Sequence, residues 1–182
     1  MTTAALTSLI SPEKTPAEVL RRVDRVIRRG GTARNFTSLA LVRLDPATGE
    51  VLLSNAGHPF PLLLTPGEDE EVTEIALPGR LALGKGPPQE YRDHAFRLPL
   101  GGALVFCSDG LFESRNAHEE LYGYDRPREV LRGAAHASAS GILDLLLADW
   151  RRHLGREELP DDTTVVVVKR VAPPSPGDES VP

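Results

Sequence analysis

Residues 104–114 read LVFCSDGLFES. An apolar run with strand character, Leu104 to Cys107, stops at a serine, an acid and a glycine. The run hardly alternates, so it is expected to be covered on both faces of a sheet. Asp109, at its tip, then poses a question of charge. A carboxylate carried into an interior needs a partner, either a cationic side chain or a metal ion.

The search for that partner leads to the far end of the chain. LPDDTT (159–164) runs into TTVVVVKRV (163–171), a strongly β-prone segment. If strands 103–108 and 163–171 lie adjacent and antiparallel, the C-terminal end of one meets the N-terminal end of the other. Asp109 and Asp161 then share one edge of the sheet, and two carboxylates there repel unless a cation lies between them. Oxygen-only ligation suits Mg²⁺ or Mn²⁺. A plainer reading stands beside it: Asp-Gly after a strand is a common turn, and Asp-Asp before one is a common solvated loop.

The rest of the chain predicts the frame around this edge. TPAE (15–18) reads as a helix start, with Thr15 as N-cap, Pro16 at the first position and Glu18 closing a capping box. Val19, Leu20, Val23, Val26 and Ile27 follow at helical spacing until Gly30 and Gly31. The first ten residues are weakly helical. LALVRLD (39–45) and EVLLSN (50–55) flank the turn DPATG and predict a hairpin. FPLLL (60–64) and VTEIAL (72–77) predict a second, and YRDHAFRL (91–98) is a mixed strand candidate. Helical sequence follows at 111–121, 126–137 and 141–154, the last with Ile142, Leu145, Leu146 and Trp150 on one side. Strands outnumber helices and hairpins dominate, so the fold class is α+β with antiparallel sheet. The expected domain covers residues 1–171. Residues 172–182 have the composition of a disordered tail, and deleting 173–182 is expected to leave folding intact.

Composition narrows the function. The chain has 182 residues, 40% of them hydrophobic, which fits one globular domain. A net charge of −5 spread along the chain gives no support for a nucleic-acid footprint, which would need a basic face. No apolar run approaches the ~20 residues of a membrane span, and the N-terminus lacks the pattern of a signal peptide. The single cysteine, Cys107, sits mid-strand as a small core residue, and cytoplasmic localisation is the simplest expectation.

Several short motifs occur in a fixed order: PAEVL at 16–20, FTSLA at 36–40, NAGH at 55–58, PFPLL at 59–63, LALG at 81–84, SDGLFE at 108–113, YG at 122–123 and DDTT at 161–164. Together they resemble bacterial SpoIIE-type phosphatases, of the metal-dependent PPM, or protein phosphatase 2C-like, superfamily. The resemblance implies an antiparallel β-sandwich flanked by helices, with a two-metal Mn²⁺ or Mg²⁺ site at one edge. It implies hydrolysis of phosphoserine or phosphothreonine by activated water, without a covalent enzyme intermediate. Asp109 and Asp161 are then metal ligands and, through the metal, the catalytic residues. Asn55 and His58 form the signature turn, with His58 either orienting ligands or serving as a hydrogen-bonded structural residue. Gly110, Glu113 and Asp162 are supporting residues. The remaining histidines, His94, His118, His136 and His153, are expected at the surface. The implied substrate is a phosphoprotein, such as an anti-sigma-factor antagonist.

The resemblance also leaves a gap. Such domains carry an acidic G-D-x-x-D-like strand and a D-V-x-G-x-G-like segment before their first long helix, and both contribute to the metals. Residues 1–35 contain only one aspartate, Asp24, so neither motif has an equivalent here. The domain is therefore expected to be N-terminally incomplete. A longer protein, a partner or second copy supplying the missing piece, and a catalytically silent relative that only binds are the three expectations. Gly101-Gly102 also replaces a family G-D before the SDG strand.

Overall fold

The computed structural model describes residues 14–30, 36–67, 71–77, 81–155 and 162–172. Five expectations lie outside them: the weak N-terminal helix, Gly31 as a helix stop, Asp161, the loop 159–161 and the tail after Ala172. The described chain divides into two compact units, one formed by 1–61 and 75–97 and the other by 62–74 and 98–182.

In the first unit, α1 (Pro16–Gly30) starts where its capping box predicts. The Thr15 N–H donates to Glu18 Oε2 at 2.9 Å, and the Glu18 N–H donates back to Thr15 Oγ1 at 3.4 Å. Two of the helix's orphan donors are thereby satisfied. A three-stranded antiparallel sheet runs in the order β1 (Leu39–Leu44), β2 (Glu50–Ala56), β5 (His94–Arg97). Asp45 closes the β1–β2 hairpin, accepting from the N–H groups of Ala47 at 2.9 Å and Thr48 at 3.2 Å. Ala17, Val19, Leu20, Val23 and Ile27 pack the helix against Ala56, Leu83 and Tyr91. Val26, expected on this face, is exposed instead.

In the second unit the sheet order is β4 (Glu71–Glu74), β3 (Leu62–Thr65), β6 (Ala103–Cys107), β7 (Val165–Lys169). All pairs are antiparallel, and Cys107 faces Val165 across the last one. The expected adjacency of the two apolar strands is therefore observed. Three helices follow β6: α2 (Asp109–Phe112), α3 (Asp125–Leu131) and α4 (Ala139–Leu154). Their apolar side chains, including Leu111, Leu131, Ile142, Leu146, Trp150 and Leu154, form one core with Leu62, Leu64, Val105 and Cys107. Burial pushes the Cys107 thiol up to about 12, so it stays a neutral core group.

The helices differ from expectation in three ways. The helix expected over 111–121 is a single turn, because Tyr122 N–H bonds back to Ser114 O at 2.9 Å and Gly123 N–H to Phe112 O at 2.9 Å. The helix expected over 126–137 breaks at Gly133, whose left-handed φ of 79° leads into a short 3₁₀ turn, Ala134–His136. Leu145 is 47% exposed, while Asp149 takes a buried position on α4. The architecture is α+β with two antiparallel sheets, and no helix among the described residues is long and apolar enough to cross a membrane.

Candidate functional site

The tip of β6 is the point from which the site is built. Ser108 links β6 to the loop entering β7: its N–H donates to Thr164 O at 2.9 Å, and its Oγ accepts from Thr164 N–H at 2.9 Å. The next residue, Asp109, opens α2 and accepts from the Gly110 N–H through Oδ1 at 3.1 Å. Gly110 is buried, and a Cβ added there would stand 2.5 Å from the Asp162 carbonyl oxygen. Only a glycine allows the 162–164 backbone to lie this close to the start of α2. Asp109, Gly110 and Asp162 are thus brought to one sheet edge, while Asp161, the residue the strand pairing places beside Asp109, lies outside the described residues.

The premise of a buried carboxylate is corrected. Asp109 and Asp162 are both exposed, because β6 ends at the sheet's margin and not within the core. Asp109 has no ion pair among the described residues. Its surroundings are acidic. The Tyr124 phenol is pushed up by burial and then by the carboxylates of Glu113, Asp109 and Glu74. Glu113 is exposed at the C-cap of α2, where its backbone N–H donates to Asp109 O at 2.9 Å. Its structural contribution is therefore through the main chain.

A metal fits this edge in kind. The donors at hand are carboxylate and backbone carbonyl oxygens on an exposed, acidic rim, which suits a hard dication. Among the described residues no group of three or more His, Cys, Asp or Glu gathers to hold one. Asp109 is the described carboxylate suited to the task; Asp161, its expected partner, lies outside the described residues.

Asn55 and His58 belong to the first unit and form a closed turn. Asn55 Nδ2 donates to His58 O at 2.8 Å, and Asn55 Oδ1 accepts from His58 N–H at 2.9 Å. Gly57 holds φ at 74°, and a Cβ there would meet the Ala82 nitrogen at 2.7 Å. The glycine of NAGH therefore exists to let the LALG segment approach. Leu83 of that segment pairs with Thr37 of FTSLA, and Gly84 N–H donates to the buried Asp24 at 2.7 Å. His58 Nδ1 lies 2.9 Å from Pro59 O, a carbonyl that can only accept, so Nδ1 is the donor of this contact.

A polar network behind the edge has no counterpart in the sequence reading. Asp149 accepts from Arg126 Nε at 2.7 Å, Tyr122 OH at 3.1 Å and Arg152 Nη1 at 3.1 Å. The Arg126 guanidinium holds the Asp149 carboxyl below its usual range, and burial pushes the Tyr122 phenol up. His153 joins it, accepting from Arg126 Nη1 at 3.2 Å and donating from Nε2 to Glu120 O at 3.0 Å. His153 is thus partly buried and engaged at the margin of this network, while His94, His118 and His136 are exposed. Trp150 Nε1 donates to Ser114 Oγ at 2.7 Å, and Ser114 Oγ donates to Leu111 O at 2.7 Å, fixing the turn after Asp109. Sequence spacing hides the long-range contacts of this network, from Arg126–Asp149 at 23 positions to Ser114–Trp150 at 36.

Comparison with known proteins meets this geometry. The family model Stage II sporulation protein E (SpoIIE) matches residues 1–171. Phosphoserine phosphatase RsbU of Bacillus subtilis is 25% identical over 158 residues, 85% of this chain and 45% of the relative. Protein IcfG of Synechocystis is 24% identical over 81% of this chain and 23% of its own length. The chain thus spans less than half of these curated relatives. The RsbU and RsbW domains of Rv1364c from Mycobacterium tuberculosis give a TM-score of 0.75 at 28% identity, covering 95% of this chain and 47% of that one. The SiaA-PP2C domain of Pseudomonas aeruginosa gives a TM-score of 0.79 at 22% identity, covering 92% and 67%. The structural neighbours have PP2C-type folds, and the chain belongs to the SpoIIE family of PPM phosphatase domains.

Proposed function

We propose that this chain is the catalytic part of a Mn²⁺- or Mg²⁺-dependent protein serine/threonine phosphatase, acting on a phosphorylated regulatory protein such as an anti-sigma-factor antagonist. The observation that carries the reading is the β6 edge, where Asp109 stands exposed and Gly110 admits the Asp162 loop. A relative named as a phosphoserine phosphatase supports the reaction class. Asp109 and Asp161 are the residues that would hold the ion. When bound, the ion supplies Lewis acidity: it lowers the pKa of water and offsets charge on the phosphate. The chain's own part is to fix Asp109 at the tip of a rigid ladder and to keep competing side chains off Gly110. A neutral His58, with its proton on Nδ1, offers Nε2 as an acceptor for water or ligand, an orienting role. Mn²⁺-dependent hydrolysis of p-nitrophenyl phosphate, lost in Asp109→Asn, is the expected result. Its absence from both this chain and an upstream-extended version rejects the reading.

A binding module with the same fold is the competing reading. The observation on its side is that no group of three or more potential ligands gathers among the described residues. It predicts capture of a regulatory protein that persists in EDTA.

A further inference from the structure

The segment Tyr122–Gly123–Tyr124 sends two aromatic rings in opposite directions. Tyr122 is buried and reaches Asp149. Gly123 then turns the chain with φ at 77°, its N–H held by Phe112 O at 2.9 Å. Tyr124 emerges with its ring stacked on Phe112, centroids 4.3 Å apart and planes 15° from parallel. Phe112 is 3% exposed and Tyr124 51%. One face of the tyrosine ring therefore covers the core and the other is offered to solvent.

This position is tied to Asp109. Phe112 lies three residues after Asp109 in α2, so the stack rides on the same helical turn. Spacing of i and i+3 puts the two on one side of that turn. The ring is also the first wall of a groove of about 600 Å³, lined further by Gly123, Arg126, Glu129, Val130 and Asp149. Arg126 is already engaged by Asp149, and Glu129 is exposed. An aromatic face with Glu129 exposed beside it and the carboxylates of Glu113 and Glu74 near its phenol favours a cation: the ring quadrupole attracts it, and the acids offset its charge.

We propose that Tyr124 reads the substrate of the phosphatase site: its outer face takes a Lys or Arg side chain close in sequence to the phosphorylated residue, and the adjoining groove takes the peptide beyond it. The inference rests on the phosphatase reading above and names the class of peptide that site prefers. Tyr124 is a specificity residue and moves no proton in the reaction.

The experiment is fluorescence anisotropy with two labelled phosphoserine nonapeptides in Mn²⁺, one with Lys and one with Glu at the flanking positions. The wild-type chain is expected to prefer the Lys peptide. Tyr124→Ala weakens that peptide about three- to tenfold, the size of one aromatic contact, and Tyr124→Phe retains it. Near-UV circular dichroism checks that the variants keep their packing. Equal binding of both peptides by the wild type, no binding of either, or equal binding by wild type and a folded Tyr124→Ala overturns the inference. Hydrolysis of p-nitrophenyl phosphate by the wild type is read separately: its absence counts against the phosphatase reading, while the peptide preference still decides the role of Tyr124.

Discussion

Two turns of the molecule use glycine for the same purpose and serve different ends. The Asn55–His58 turn closes on itself: the Asn55 amide satisfies both the N–H and the C=O of His58, and Gly57 admits the Ala82 backbone. The turn at Ser108–Gly110 closes on a distant loop, and Gly110 admits the Asp162 carbonyl. The first turn spends its polar groups on the fold. The second leaves an exposed carboxylate, Asp109, without an ion pair among the described residues. A turn closed on itself and a turn that leaves its carboxylate in solvent can thus share a design and differ only in what the polar side chain is left to do.

Substitutions can break this contrast. Gly57→Ala carries the largest expected effect. It forces a left-handed backbone on alanine and drives Cβ into Ala82, together costing about 3 kcal/mol in a denaturant melt. Gly110→Ala has an ordinary φ and only the clash, so about 2 kcal/mol is expected, accompanied by weaker Mn²⁺ binding in calorimetry. A Gly110→Ala protein with unaltered Mn²⁺ affinity would dissolve the distinction between the two turns. Asp109→Asn sharpens it: thermal stability without metal holds or rises as carboxylate repulsion is relieved, while Mn²⁺ affinity falls at least about tenfold, or 1.4 kcal/mol. A lower melting temperature without metal would mean that Asp109 is bound by the protein itself.

The smallest effect concerns acid. Asp149 has its pKa depressed by the Arg126 hydrogen bond, so the unfolded chain takes up this proton first as pH falls. Its contribution is complete above the ordinary carboxylate value of about 3.9 and is lost as pH drops through the lower folded value. Asp149→Asn is expected to cost about 1 kcal/mol at neutral pH, discounted because Arg126 is partly exposed, and to flatten the decline of melting temperature below about pH 4.

Local signals were the legible part of this chain. Thr15 and Glu18 announce α1 because the capping box lies within four residues, and DPATG announces its hairpin for the same reason. The β6–β7 pairing was readable because one apolar run ends at a carboxylate and the other starts just after two, which suggested a common edge. Exposure at that edge was not readable, since it depends on where the sheet stops. Nor was the inward turn of Asp149: its charge suggests a wet helix face, and Arg126 and Tyr122, far off in sequence, join the nearby Arg152 in making burial tolerable. The helix expected over 111–121 failed because tertiary bonds from Tyr122 and Gly123 pull the chain back toward Ser114 and Phe112.

The ladder that ends at Ser108 and Thr164 has a kinetic side. Its closing bonds join residues 56 positions apart, with three helices in between. A contact of that span forms only after much of the chain has been ordered, because loop closure must precede it. It also sits at the end of the zipper, on a strand that edges its sheet, where opening fluctuations begin. Fraying of the first residues of β7 would dismantle the carboxylate edge while the helix-covered core stays folded. Any ion that held the two strands together would oppose such fraying by mass action.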